Sequence, residues 1–300
     1  MKVVNLSSTD YANYGYHNAQ ALKAVGVDAE SYCIKSHGFN YKAQSTLISR
    51  QKIRKIIKDA DVVQVMHSKK ELYYYLQDYK GKIVVWHTGT RYRFEHHELN
   101  RFWERYADKA ICALPEFMYI APFGSEYFGI TYQDNKTNKP ATNEKLTVGH
   151  YPSNRTVKGS DTIDKILRKF EGIDYKTGGL VSNAEHLERY NGLDVYIEMM
   201  NLKQMNKPYG SYGTTAIEAA SKGCIVITND INKEVYSNHY GKTALRICNS
   251  KEEIEAELNR LLNLPLIELI QLKVDTYQWY LDNHSYIAQG NRLKQILTKL

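Results

Sequence analysis

The segment YGSYGTTAIEAASKGCIVITND, residues 209–230, predicts a loop, a short helix and a buried strand in that order. The helix is expected to begin within residues 213–215 and to stop at Gly223, which suits a left-handed terminus. Residues 224–228 form a short apolar run that is typical of a covered parallel strand. The free N–H groups and the positive dipole end of the first helical turn attract anions. The segment therefore predicts a phosphate site with the Glu218 carboxylate nearby.

Length and composition indicate a globular protein with two domains. The chain has 300 residues, which suits two domains of about 150 residues each. Its hydrophobic content of 43% and charged content of 24% are ordinary for this class. The net charge of +7 favours anionic ligands without choosing between nucleotide, nucleic acid and lipid.

Several features favour a cytoplasmic protein. No apolar run approaches the roughly 18 residues that a membrane helix needs. The residues after Met1 are expected to form a first strand rather than a signal peptide. The cysteines make no CxxC pattern, so we expect buried thiols in a reducing compartment. They are Cys33, Cys112, Cys224 and Cys248.

Strand and helix patterns alternate along most of the chain, which predicts parallel sheets with right-handed crossovers. We expect two Rossmann-like domains, at residues 1–140 and 141–280, that face each other across a cleft. A C-terminal helix at 281–300 is expected to pack back on the first domain. A polar stretch near 132–144 reads as a linker or surface excursion. The first helix is expected to follow a loop that contains Gly15.

A basic segment near residues 45–58 is predicted to be an amphipathic helix. Its isoleucines fall on helical spacing, and its lysines and arginines are expected to face water or an anionic membrane surface. The Asp59-Ala60-Asp61 motif is typical of metal-nucleotide binding in another architecture, but here it fits helix capping better. His96-His97-Glu98 lacks the spacing of a metal site, because adjacent helical residues point in different directions.

Two stretches of the second half resemble the retaining GT-B glycosyltransferases of family 4. The first is VGHYPSNRTVKGSD, which carries Gly149, Arg155, Lys158 and Gly159. The second begins at Leu193-Asp194-Val195 and continues through the loop and helix quoted above. The match covers roughly residues 145–245. In the first half, Gly15 and His87 occupy positions where this family often carries functional residues.

The resemblance implies a GT-B fold and transfer of a sugar from a nucleoside-diphosphate sugar to an acceptor hydroxyl. It implies retention of configuration and no metal, because cationic side chains stabilise the leaving diphosphate. The acceptor is a carbohydrate, lipid or protein, bound on the N-terminal side. The catalytic candidates are His87, Arg155 and Lys158. The donor-binding candidates are Gly15, Gly210, Ser211, Tyr212, Gly213, Thr214, Thr215 and Glu218, with Glu218 expected on the ribose hydroxyls.

One departure from the family pattern concerns the donor sugar. The family places a glutamate eight residues before Glu218, and this chain has Gly210 there. Ser211 or Glu198 are candidates to replace it. The departure keeps a second function open, a catalytically weak or inactive nucleotide-sugar-binding protein on the same fold.

Other interpretations compete with these assignments. Thr215 and Glu218 also match a capping box, in which the glutamate reaches back to the first residue of the helix. Arg155 and Lys158 are alternatively solvated loop charges. A GT-B sugar-nucleotide epimerase is disfavoured because no set of acids for proton abstraction is evident. Nucleic acid is disfavoured as a partner because aromatic and basic residues do not alternate in a groove-like pattern.

Overall fold

The computed structural model describes residues 1–133, 145–204, 207–210, 212–230 and 232–300. The predicted linker therefore lies almost entirely outside the described residues. Two compact units are present. Met1–Thr131 and His284–Leu300 form the first unit, and Tyr132–Asn283 form the second.

The first unit is built on a seven-stranded parallel sheet with the order β3-β2-β1-β4-β5-β6-β7. The order reverses between β1 and β4, as in doubly wound α/β folds. The strands are β1 Lys2–Thr9, β2 Asp28–Lys35, β3 Thr46–Leu47, β4 Val62–Val65, β5 Lys82–His87, β6 Lys109–Cys112 and β7 Glu126–Tyr127.

Neighbouring residues of the central strands enter two different hydrophobic clusters. Val3 and Val62 belong to the cluster that also holds Leu293, near the C-terminus. Val4 and Val63 belong to the other cluster. Successive strand residues point to opposite faces, so valine at both positions covers the sheet on both sides. This explains why the strands are continuous apolar runs instead of alternating ones.

A chain of buried hydrogen bonds also crosses the central strands of this sheet. The Trp86 indole N–H donates to Gln64, whose amide donates to Asn5, and Asn5 donates to the Gly15 carbonyl, each at 2.7 Å. The side chains of Trp86, Gln64 and Asn5 are therefore hydrogen-bonded to one another, as polar groups of a buried network must be. The network ties α1 (Tyr14–Ala24) to the sheet.

The second unit has a five-stranded parallel sheet with the order β14-β13-β10-β8-β9. A short antiparallel pair, β11 with β12, lies outside it. The strands are β8 Leu146–His150, β9 Ile173–Thr177, β10 Val195–Ile197, β11 Lys203–Gln204, β12 Lys207–Pro208, β13 Ile225–Thr228 and β14 Arg246–Ile247.

The remaining helices cover these two sheets. They are α2 Ile53–Ile57, α3 Gly89–Trp103, α4 Arg155–Lys158, α5 Ser160–Leu167, α6 Asn183–Glu188, α7 Thr214–Ser221, α8 Lys233–Tyr240, α9 Lys251–Leu262, α10 Leu266–His284 and α11 Tyr286–Leu297. In the described ranges, no helix has the length and apolarity needed to cross a membrane. All four cysteines are buried free thiols.

The C-terminal helix packs on the first unit, as predicted. α11 lies against α1, and the approach is close at Gly290, where an added Cβ would lie 2.1 Å from the Ala21 carbonyl oxygen. Gln289 donates to the Gly129 carbonyl at 2.8 Å and anchors the start of the helix. Glycine at position 290 is therefore a packing requirement.

The predicted helix near residues 45–58 is wrong in extent. Thr46–Leu47 pair with β2 as an edge strand, and Arg50–Lys52 form a 3-10 turn before the short α2. Like charges spaced four residues apart repel along a helix, and the isoleucines lower helix propensity. The sequence also predicts a helix over residues 69–78, and the structure has a 3-10 segment there, Lys70–Tyr75. Gly15 lies in the first turn of α1 instead of in a preceding loop.

Candidate functional site

The predicted anion-binding helix is α7, which begins after the N-cap residue Gly213. Its small residues Ala216, Ala219 and Ala220 are fully buried, which lets the helix lie close to its neighbours. Gly223 adopts a φ of 73° just beyond the helix, as predicted from the sequence. The helix therefore forms as expected, with its N-terminus at the carboxyl-end side of the second sheet.

A protein carboxylate already lies at this N-terminus. The Glu198 side chain has no solvent exposure and follows β10 directly. Its Oε1 accepts the Gly213 N–H at 2.7 Å and the Lys158 ammonium at 3.0 Å. Hydroxyls of Thr215 and Thr228 donate to the carboxylate at 3.3 Å and 3.0 Å. The first free donor of α7 is thus satisfied by an internal anion.

Gly213 is a glycine because of this carboxylate. A Cβ at this position would lie 2.3 Å from Glu198 Oε1 and 3.5 Å from Lys158 Nζ. Such a contact displaces the carboxylate or the backbone. Glycine at position 213 therefore allows the Glu198 carboxylate to approach the backbone closely.

Lys158 is held by the turn that follows β8. Asn154 caps the single turn of α4 by accepting the Val157 N–H at 3.1 Å. The Lys158 carbonyl accepts the Met200 N–H at 2.9 Å, which joins this turn to the residues after β10. Burial favours a lower pKa for the Lys158 ammonium, but the Glu198 carboxylate opposes it and the pKa is raised above its usual value. Lys158 is therefore a charged, oriented cation.

Arg155 lies at the surface, with its side chain 51% exposed. Its guanidinium donates to Asp161 and to Asp164, each at 2.7 Å. The hydrogen bonds that Arg155 donates to Asp164 and Asp161 raise its pKa. Exposed pairs of this kind contribute little free energy, so an incoming phosphate can exchange with them.

Glu218 lies farther along α7, 5% exposed, on the side of α6. Its Oε2 accepts the Tyr190 hydroxyl at 3.4 Å and lies 4.0 Å from His186 Nε2. Burial lowers the pKa of His186 to about 4. The capping-box alternative is wrong, because the N-cap of the helix is Gly213 instead of Thr215, and the Gly213 N–H donates to Glu198.

The other donor-binding candidates of the loop differ in their surroundings. Tyr212 is buried and packs edge-to-face on Tyr236, with ring centroids 4.8 Å apart. Thr214 is half-buried at the first helical position. Gly210 has a φ of 149°, which residues with side chains rarely adopt. Ser211 lies outside the described residues.

The two candidates of the first half lie in the first unit. His87 is fully buried, bonds to the Ser68 hydroxyl at 2.8 Å and stacks on Tyr92 with centroids 3.9 Å apart. Burial lowers its pKa to about 3, so the ring is neutral. Gly15 is also buried, and its N–H donates to the Asp10 carboxylate at 2.8 Å.

In the first unit Asp10 accepts N–H groups at the start of a helix, as Glu198 does in the second unit. It follows β1 directly, and its two oxygens accept the N–H groups of Gly15 and Tyr16 in the first turn of α1. Burial favours a raised pKa for Asp10, but His67, Ser45 and Gly15 hold the pKa below its usual value. Sequence reasoning did not find Asp10. The available signal was an acid at the end of a buried strand, just before a glycine-containing helix start.

Comparisons with known proteins bear on the fold. No family model and no curated protein matches the chain in sequence. HepE of Anabaena, solved with UDP-glucose, matches at 10% identity over 100% of both chains, with a TM-score of 0.74. Sucrose-phosphate synthase from Thermosynechococcus elongatus matches at 12% identity over 100% of this chain and 99% of that one, with a TM-score of 0.67.

A glycosyltransferase from Rickettsia africae matches at 11% identity over 99% of this chain and 98% of its own, with a TM-score of 0.65. These matches show that the chain has the GT-B fold. The fold predicted from the resemblance is therefore confirmed.

Proposed function

We propose that this protein is a glycosyltransferase whose donor is a nucleoside-diphosphate sugar. The observation that carries the proposal is that a lysine, a helix N-terminus and a carboxylate lie close together in the second unit. The Lys158 ammonium lies against the N-terminus of α7 through Glu198, and Glu218 lies on the same short helix. A cation and free helical N–H groups suit a diphosphate, and a carboxylate suits the two hydroxyls of a ribose.

Each of these groups has a role in the proposed sugar transfer. Negative charge grows on the bridging phosphate oxygen as the sugar leaves, and Lys158 with the first turn of α7 stabilises that charge without reorganisation. Arg155 exchanges its two surface carboxylates for a phosphate. His87 contacts the sugar or the acceptor, and the reaction proceeds with retention and without a metal. We place the donor against Gly210, Tyr212 and Gly213, against Thr214 and Thr215 of α7, and against Gly15.

The first donor to test is UDP-glucose, because Anabaena HepE was solved with it. A thermal-shift panel of nucleoside diphosphates and their sugars, with and without magnesium, identifies the base. A ligand at about 100 times its dissociation constant adds roughly 2.7 kcal/mol of stability. We expect one base to raise the melting midpoint by several degrees, independently of magnesium. No shift with any nucleotide contradicts the proposal.

Lys158→Met tests the assigned cation, and we expect it to abolish the shift and to cut turnover by orders of magnitude. The substitution leaves Glu198 buried without its cation, so the double variant Lys158→Met/Glu198→Gln is made in parallel. Lys169→Met is the matched control, because Lys169 is 60% exposed and pairs with Glu255. Unchanged turnover in folded Lys158→Met contradicts the assignment.

A second candidate function is a nucleotide-sugar-binding protein without transferase activity. Gly210 favours it, since the glutamate that contacts the donor sugar in the family is missing there. Glu198 does not offer a free carboxylate as its substitute, because both of its oxygens are engaged. Donor hydrolysis or sugar transfer at an appreciable rate excludes this candidate.

A further inference from the structure

The Glu198 carboxylate is bound more extensively than the end of a helix requires. Asp10 satisfies the start of α1 with two backbone N–H groups, the Ser45 hydroxyl and a histidine. No lysine is involved there. Glu198 instead shares its Oε1 between the Gly213 N–H and the Lys158 ammonium. A buried ion pair is costly to form, so a role in helix capping alone does not account for the lysine.

Burial and a neighbouring helix N-terminus both oppose the charge of Lys158. Its side chain is 13% exposed and lies beside the positive end of α7. The titratable and charged groups that face it are Glu198, Tyr209, Tyr196, His150 and His186. Burial lowers the pKa of both His150 and His186 to about 4, so these rings supply no charge at neutral pH. Glu198 is thus the carboxylate that favours the ammonium form.

We propose that Glu198 is a positioning residue that keeps Lys158 charged and aimed at the N-terminus of α7, where a donor diphosphate binds. The proposal rests on the proposed function and adds a residue to it. Lys158 carries three N–H donors, and Glu198 accepts one of them at 3.0 Å. The ammonium can therefore bind a phosphate oxygen while its pair with Glu198 stays intact. Glu198 fixes the position of the cation, and it is not a ligand of the sugar.

The test is the pH dependence of UDP binding, measured by calorimetry in the wild type and in Glu198→Gln. The range runs from about pH 7.5, where the terminal phosphate is ionised, to about pH 9.5. We expect wild-type affinity to change little. In Glu198→Gln burial lowers the pKa of Lys158 without the opposing carboxylate, so affinity should fall as the pH rises, by up to about tenfold for each pH unit above that pKa. Parallel profiles in the two proteins overturn the proposal.

Two comparisons separate this effect from general damage. Glu116→Gln removes another buried, ion-paired glutamate, which binds Arg93 in the first unit, and its profile should follow that of the wild type. Glu198→Asp retains the carboxylate, so its profile should stay flat even if affinity drops. If affinity in Glu198→Asp falls with pH as it does in Glu198→Gln, the negative charge at position 198 is not what keeps Lys158 protonated, and the proposal fails.

A readout without nucleotide separates this proposal from the proposed function. NMR titration of the lysine side chains should show that Lys158 of the wild type loses its proton at higher pH than a lysine in water, whose pKa is about 10.4. In Glu198→Gln it should do so at lower pH than in the wild type. A Lys158 that titrates at the same pH in the two proteins overturns the positioning role. Normal titrations without UDP binding would instead contradict only the proposed function.

Discussion

The backbone at position 210 suits a glycine and not the glutamate that the resembling GT-B enzymes place there. Gly210 has a φ of 149°, a conformation open to glycine and strained for other residues. A glutamate there requires a different loop path before α7. The loop of this chain is therefore built around Glu198 and Gly213, and the sugar-binding groups of the family are not expected to carry over one by one.

Gly159 is constrained by conformation and by space together. Its φ is 68°, and an added Cβ would lie 1.9 Å from the Met200 carbonyl oxygen. The left-handed conformation costs about 1–2 kcal/mol in an alanine, and the steric overlap adds on the order of 1–3 kcal/mol. We expect Gly159→Ala to lower the free energy of unfolding of the second unit by the sum of these effects, measured by urea denaturation.

Gly192→Ala is the matched control for this prediction. Gly192 has a φ of 81° in the same unit, and nothing lies within 4 Å of an added Cβ. It should show the conformational cost alone, about 1–2 kcal/mol. Equal losses in the two variants would mean that the Met200 contact relaxes without cost.

At the residue scale, the sequence predicted where α7 and β13 begin and end better than it predicted the hydrogen-bond partners of their residues. The start of α7, the stop at Gly223 and the buried strand β13 follow from propensity and local spacing, and all three are present. The carboxylate that fills the helix N-terminus comes from β10, a different strand. Pairing between segments distant in sequence depends on sheet order, which local patterns do not encode.

Among the elements, α11 shows how a single glycine sets a helix contact. We expect Gly290→Ala to destabilise the packing of α11 on α1 by on the order of 1–3 kcal/mol, although alanine has the higher helix propensity. Its Cβ would overlap the Ala21 carbonyl. Faster amide hydrogen exchange across both helices measures the loss. Asn291→Ala, at an exposed neighbouring position, should leave exchange unchanged or slower.

The short elements of the first unit were the least predictable. The sequence predicts a strand over residues 82–87 and a helix over 251–262, and both are present with these bounds, as β5 and α9. The strand is a continuous apolar run, and the apolar residues of the helix fall on helical spacing. The segment from 45 to 58 mixes an edge strand, a 3-10 turn and a short helix. Its isoleucines pack inward in either conformation, so periodicity alone did not choose between them.

The whole molecule carries a set of buried, neutral histidines that makes its stability sensitive to acid. Burial lowers the pKa of His87 to about 3 and those of His17, His150 and His284 to about 4. The unfolded chain binds protons near pH 6.5, so these groups contribute stability above that pH and lose it as the pH falls toward 4.

We expect the urea midpoint to fall between about pH 7 and pH 5, with each histidine adding up to about 1.4 kcal/mol per pH unit. His284, whose ring bonds to the Ile130 carbonyl, is the residue to replace. His284→Asn should show a shallower pH dependence than the wild type. A pH-independent midpoint for the wild type over this range would contradict the prediction.

The return of the chain to the first unit has a consequence for biosynthesis. Leu293 and Leu297 belong to one of the two clusters that cover the first sheet. Residues 1–131 therefore leave the ribosome with that face incomplete, and all of Tyr132–Asn283 is translated before the closing helix exists. The usual order, in which the N-terminal domain finishes first, does not apply to this chain. Nascent chains that stall before residue 284 expose apolar surface and become clients for chaperones.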